Sequence, residues 1–195
     1  MSDDTRHDRN EPAPLATGRL GMRLLLATLA VLFAASVTGM LAVRGQAAAW
    51  PPPGVPDLPR GLWLSTVIIL AASAAMHWGV TGVRRGDGER LRRGLVLTLL
   101  LGLGFLASQT VNWFALVAAN LTAKTNLYGF TFYLLTGLHA LHVVGGLVPL
   151  AIVTTKAWRG RYSAASHEGV EYTATYWHFL DVVWVILWVV LLLTS

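Results

Sequence analysis

Five stretches of the chain run for 20 or more residues without Lys, Arg or Glu, and only the last contains an Asp. They are Leu24–Val43, Gly61–Val83, Gly94–Ala123, Thr125–Thr155 and Tyr172–Ser195, the last broken by Asp181. A bilayer core about 30 Å thick needs about 20 apolar residues of helix to cross it. Each stretch is therefore long enough to span. None shows sustained alternation at every second residue, and a membrane barrel would show alternating segments of about 10 residues. The pattern predicts an all-α membrane protein, a bundle of five transmembrane helices near residues 22–43, 61–83, 94–121, 126–155 and 171–194. The surplus length of the third and fourth runs is absorbed by tilt and interfacial turns. No repeat recurs at a fixed spacing.

Composition agrees with this. Of 195 residues 54% are hydrophobic and 13% charged, against about a quarter charged in a soluble domain. The absence of cysteine excludes a disulfide framework and a thiolate metal site. The first run is read as a membrane anchor rather than a cleaved leader, although Ala47-Ala48-Ala49 imitates a cleavage site. The 23 residues before it are polar, and it is too long for a leader's apolar core. Residues 1–17 are polar and Pro-bearing, and are expected to form a disordered cytoplasmic arm. Residues 18–195 are expected to form a single domain. Trp50-Pro51-Pro52-Pro53-Gly54 reads as a stiff, ordered crossover with an interfacial Trp.

The net charge of +5 would suggest a nucleic-acid partner in a soluble chain. Here topology accounts for it. Twelve of the fifteen basic residues fall in the N-terminal arm, the second loop and the fourth loop; three fall on the other side. By the positive-inside rule the N-terminus is cytoplasmic and the C-terminus outside, periplasmic in a bacterium. No nucleic-acid partner is expected.

Six ionisable residues stand within or at the edge of the runs. His139 and His142 lie three apart on the fourth helix, with Thr136 on the same face. Glu171, His178 and Asp181 are on the fifth. At 1.5 Å per residue Asp181 sits about 15 Å beyond Glu171, near the midplane. A carboxylate there costs about 2.5–3.5 kcal/mol even on lenient scales, so it needs a protein partner. Either His139 or His142 is at a depth to supply one. His77 of the second helix is at the depth of His178. The cluster is read first as a structural clasp between the fourth and fifth helices. A proton or ion path and a haem or metal site are the competing readings, the last weak because two His at this spacing lack Cys or Met support. Trp177, Trp184 and Trp188 share a face with Asp181 and are read as packing. Small residues at Ala27, Ala30, Ala34 and Thr38, at 71–75, and at Gly137, Gly145 and Gly146 are read as helix contacts.

Two segments carry a resemblance. Phe132-Tyr133-Leu134-Leu135-Thr136-Gly137-Leu138-His139-Ala140-Leu141-His142-Val143-Val144-Gly145-Gly146 resembles a helix of the cytochrome c oxidase subunit III family. Tyr176-Trp177-His178-Phe179-Leu180-Asp181-Val182-Val183-Trp184 is similar to another almost letter for letter. Glu171, Met76-His77-Trp78, Gly102 to Leu106 with Gln109, and the Trp-Pro-Pro-Pro-Gly loop also fit, so the resemblance covers about residues 18–195. It implies the five-helix form of that subunit. It implies no haem or copper on this chain, with both in the partner subunits I and II, structural phospholipids in a cleft, and support for assembly and proton uptake. It also implies a bacterial inner membrane. Two positions depart from the family pattern. Leu29 stands where the first of these helices usually carries Glu, and Asn112 where the third often does.

The leading expectation is thus a non-catalytic subunit III of a haem–copper terminal oxidase. A subunit III-like companion of a nitric oxide reductase and a free-standing ion carrier are the alternatives. The last lacks the paired broken helices of a transporter site. The topology is testable. A phosphatase fused after Ser195 is expected to be active in the periplasm, and activity of a cytoplasmic reporter alone at that position would contradict the arrangement.

Overall fold

Helix ends here are set by local chemistry beyond the charge-free runs. The structure is a computed structural model and describes residues 14–195. It contains α1 (Pro14–Gln46), α2 (Gly61–Arg84), α3 (Gly88–Ala118), α4 (Leu127–Trp158) and α5 (Glu168–Thr194). All five are long and apolar enough to cross a membrane. Among the described residues the sole β feature is an isolated bridge between Ser163 and Ser166. The expectation for the arm falls largely on residues 1–13, outside the described residues. Pro14–Thr17 belong to α1, which opens on a proline whose missing N–H costs nothing at a helix start.

The helix ends do not coincide with the ends of the apolar stretches. α3 starts six residues before Gly94 because the Asp87 carboxylate caps it, accepting from Arg90 N at 2.9 Å. It stops at Ala118, short of the expected 121, because Asn120 turns left-handed at φ 62°. Asn126 caps α4 through a 2.7 Å bond from Gly129 N. Residues 85–87 form a tight turn with Gly86 at φ 78°, which makes α2 and α3 antiparallel neighbours.

Four helices close into a ring. α2 packs on α3, α3 on α4, α4 on α5, and α5 back on α2. α1 lies outside the ring and touches α4 and α5. Residues 47–60 must therefore carry the chain across the end of the bundle to reach α2. Trp50, Val55 and Leu58 pack against the core there, with the Trp50 ring 5.3 Å from that of Tyr128.

Every seam of the ring carries an interhelical side-chain hydrogen bond. Ser65 and Ser108 share one of 2.8 Å between α2 and α3, and Asn112 Nδ2 donates to Ser65 Oγ at 3.2 Å. Trp113 Nε1 donates to Thr136 Oγ1 at 3.1 Å between α3 and α4. Tyr176 Oη donates to the His142 carbonyl at 3.1 Å between α4 and α5. Trp184 Nε1 donates to Thr66 Oγ1 at 3.0 Å between α5 and α2. Among the described residues α1 makes no such bond; Thr28 and Ser36 donate to carbonyls of their own helix. It is held by apolar contact through Leu29, Phe33 and Met40.

The small-residue reading needs correction in two places. The Ala27, Ala30, Ala34 and Thr38 face of α1 is exposed, because the bulky Leu29–Phe33–Met40 face is the one that meets the ring. Gly137 has open space around it. Between helices, the closest backbone approach at a glycine is that of Gly94 to Gly79 in the α2–α3 pair. A Cβ on Gly94 would come within 2.6 Å of Gly79 Cα and 2.9 Å of the Ala75 carbonyl. Gly146 is also tight, beneath the Tyr176 ring.

Gly94→Ala is expected to force α2 and α3 apart at a cost of about 1–3 kcal/mol, as overpacking does. Gly137→Ala, on an open face, is expected to be neutral or slightly stabilising through helix propensity. Unfolding midpoints in detergent distinguish the two. Equal effects would contradict the close approach.

Candidate functional site

α2 and α5 run antiparallel and meet as a polar ladder. At the basic end Arg84 holds the Glu171 carboxylate at 3.0 Å, and His167 Nε2 lies 3.2 Å from the same oxygen. Two turns inward, the His77 and His178 rings are 6.5 Å apart between centres and inclined by 53°. Ser73 Oγ and His178 Nδ1 share a hydrogen bond of 2.7 Å. The same nitrogen lies 3.7 Å from Asp181 Oδ2, outside hydrogen-bonding range. Above this level Thr66 receives the Trp184 indole, and the Trp63 and Trp188 rings meet edge to face at 5.2 Å. The sequence placed His77 and His178 at one depth, and the structure brings them together.

The expected clasp between α4 and α5 through Asp181 is not what the structure contains. Asp181 opens toward Leu70 and Ser73 of α2. Neither of its carboxylate oxygens is hydrogen-bonded. His139 lies instead at the centre of the ring. Its imidazole is fully buried among Phe105 at 5.6 Å, Trp184 at 5.1 Å and Phe33 at 6.2 Å, and neither ring nitrogen has a hydrogen-bond partner. His142 turns its Nδ1 to its own Leu138 carbonyl at 2.7 Å and faces Phe33 at 5.3 Å. Depth was legible from residue spacing; the rotation of each helix about its axis was not. The bulk of Trp184 stands between the α2 side of α5, where Asp181 is, and the α4 side, where His139 is. The stripe of Trp177, Trp184 and Trp188 is buried, as packing requires.

Three residues that close the seams were missed, Ser65, Ser108 and Thr66; Thr136 was noted only as sharing the face of His139 and His142, and Ser73 only as a small residue. Hydroxyls in apolar helices look unremarkable because most bond their own preceding turn, as Thr98 and Thr154 do. Their signal was pairing by depth with an indole, imidazole or amide on the next helix. Chemically the site offers hydrogen-bond recognition. No group of three or more His, Asp or Glu that could hold a metal occurs among the described residues.

Residues 17–195 match the model of the cytochrome c oxidase subunit III family. The chain belongs to that family. It is similar to a cytochrome c oxidase subunit 3 from Synechocystis sp., 36% identical over 178 residues, which covers 89% of this chain and 74% of that protein. A probable cytochrome c oxidase subunit 3 from Mycobacterium leprae is 32% identical, over 95% of this chain and 90% of that protein. A cytochrome c oxidase subunit 3 from the carp Cyprinus carpio is 35% identical over 142 residues, 72% of this chain and 53% of that protein. As a member of the family the chain is a subunit III of a haem–copper oxidase and a multi-pass membrane protein.

Within this subunit III the two departures have different environments. Leu29 is buried where α1 meets the ring, a site that an apolar side chain suits. Asn112 uses its amide N–H for the bond to Ser65, and its Oδ1 lies close over Gly61 of α2. A neutral amide is thereby part of the α2–α3 seam.

Two substitutions test this polar arrangement. Thr136→Val removes the acceptor of the Trp113 indole and is expected to cost about 0.6–1.7 kcal/mol, the range for membrane hydrogen bonds. His139→Leu removes two unpaired nitrogens, and is expected to leave stability unchanged or raised, since replacing an unsatisfied polar group by an apolar one is favourable. Unfolding midpoints of the purified subunit check both. A clear loss with His139→Leu would show that the imidazole makes a bond essential to the fold.

Proposed function

We propose that the protein is the non-catalytic subunit III of a bacterial haem–copper terminal oxidase in the inner membrane, N-terminus cytoplasmic and C-terminus periplasmic. In this reading it docks beside the catalytic subunit I and subunit II, which carry the haem and copper. It stabilises their assembly and supports proton uptake by the catalytic subunit. The family match across all five helices carries the reading. The names of the relatives favour an oxidase over a nitric oxide reductase companion or a free-standing carrier. The orientation rests on the basic residues. The polar cluster of His77, His139, His142, Glu171, His178 and Asp181 serves structure and recognition in this reading.

Structural phospholipids are the second part of the proposal. α1 stands off the ring with an apolar groove on each side. One is lined by Ala30, Ala34, Thr38, Phe179 and Ile186, and the other by Ser36, Gly39, Phe130 and Leu134. The exposed small residues of α1 line both grooves, and their apolar walls suit an acyl chain. That gives the small face of α1 a use other than helix packing.

Extraction in mild detergent through a C-terminal tag is the test. The protein is expected to emerge with a haem-bearing partner near one-to-one, and to show no Soret absorption once separated from it. Emergence alone from membranes that retain active oxidase would overturn the proposal.

A further inference from the structure

The six ionisable residues of the spans are unevenly placed. His139 is sealed in the centre, and His142 is bonded to its own helix beneath Phe33. The other four, His77, Glu171, His178 and Asp181, all fall along the groove between α2 and α5. The outward face of α3 presents Leu97, Leu100, Leu103, Val111 and Phe114, an ordinary lipid-facing surface. The α2–α5 groove is different. Its floor is a ladder of hydrogen-bonding groups, and its rims are Leu70, Val182 and Ile186.

We propose that this groove is the docking surface for a membrane-spanning helix of the catalytic-core partner, one that presents a hydrogen-bond donor to Asp181 near the bilayer midplane. The proposal rests on the reading of the chain as an oxidase subunit and adds which face is engaged and by what chemistry.

Three observations carry it. First, the Asp181 side chain is 5% exposed, lines the groove, and has no hydrogen bond on either oxygen. An acceptor in that position calls for a donor from outside the chain. His178 stands at ion-pair distance, 3.7 Å, but leaves both oxygens without a hydrogen bond because its Nδ1 is shared with Ser73 at 2.7 Å. Second, His178 is 38% exposed and His77 exposed on the same face. Imidazoles facing hydrocarbon are expensive, and such residues face protein or water in membrane proteins. Third, depth excludes a lipid headgroup. Asp181 is 10 residues along α5 from Glu171 and 13 residues before Thr194, about 15 and 20 Å from the two ends at helical rise. That is too deep for a headgroup in a hydrocarbon layer about 30 Å thick. An acyl chain reaches the site but has nothing to donate. A helix bearing Ser, Thr, Tyr, Trp or Lys reaches it and supplies the missing bond.

Photo-crosslinking in the intact complex tests the proposal. p-Benzoylphenylalanine replaces Leu70, which lines this groove and not the one beside α1, and Leu103 or Phe114 on the α3 face as controls. All three positions are exposed, so the fold tolerates the probe. An adduct from Leu70 is expected on a transmembrane peptide of a core subunit, with the controls labelling lipid. An adduct from Leu70 on lipid alone, or on a second copy of this chain, with the core subunits still copurifying, would overturn the proposal and leave the oxidase reading standing. Failure of the unmodified chain to copurify with a haem-bearing core would remove both.

A second measurement isolates the carboxylate. Asp181→Leu is expected to reduce retention in the complex by about threefold, and by no more than about twentyfold, the span of measured membrane hydrogen bonds. Asp181→Asn, which keeps an acceptor oxygen, is expected to retain more. The unfolding midpoint of the separated full chain is expected to be unchanged in both, since the carboxylate has no hydrogen bond within the chain to lose. Equal loss of midpoint and retention would mean that Asp181 is structural and would overturn the docking role.

Discussion

In a membrane, an apolar side chain gains nothing by leaving lipid for another apolar side chain, so helices stay together through close backbone approach and internal hydrogen bonds. The rest of this structure follows from that constraint. The four helices α2 to α5 close a ring in which every seam has a hydrogen bond between side chains or to a carbonyl, and the α2–α3 seam adds the Gly79–Gly94 contact. Among the described residues α1 has neither device. It leans on α4 and α5 through Phe33 and Met40, and leaves grooves on both sides. A ring with satisfied seams and one loosely seated helix sorts the surface into distinct faces before any partner arrives.

The same constraint separates what the sequence disclosed from what it hid. Charge-free runs are a direct record of the hydrocarbon thickness, so five spans could be read from residue types alone. Helix ends were less legible because they depend on single caps such as Asp87 and Asn126 and on the left-handed Asn120. Depth followed from the rise per residue, which brought His77 level with His178. Azimuth did not follow. A helix apolar all round, like α4 or α5, carries no amphipathic stripe to fix its rotation. The partner assigned to Asp181 was wrong for that reason, and His139 was assigned a bond that its aromatic surroundings do not offer. Glycines show the same limit: Gly94 and Gly137 look alike in sequence, and only packing shows which one touches a neighbour.

Membership in the subunit III family turns these faces into roles. The buried polarity of the ring holds helices together and, in our proposal, recognises a neighbour. Asn112, which the resemblance places where an acid was expected, is a neutral residue of the α2–α3 seam. The amide makes the α2–α3 bond without placing a charge in the membrane. Leu29, at the other such position, makes the contact between α1 and the ring wholly apolar. In our proposals recognition falls to the polar groove between α2 and α5, and lipid seating to the apolar grooves beside α1, one of which shares Val182 and Ile186 with it.

A density map of the intact oxidase complex, resolved well enough to show side chains, tests that division most directly. A protein helix is expected over the α2–α5 groove, with a donor within hydrogen-bonding distance of Asp181, and acyl chains along α1. A map with lipid alone against Asp181 and the core subunits seated on α1 would contradict it.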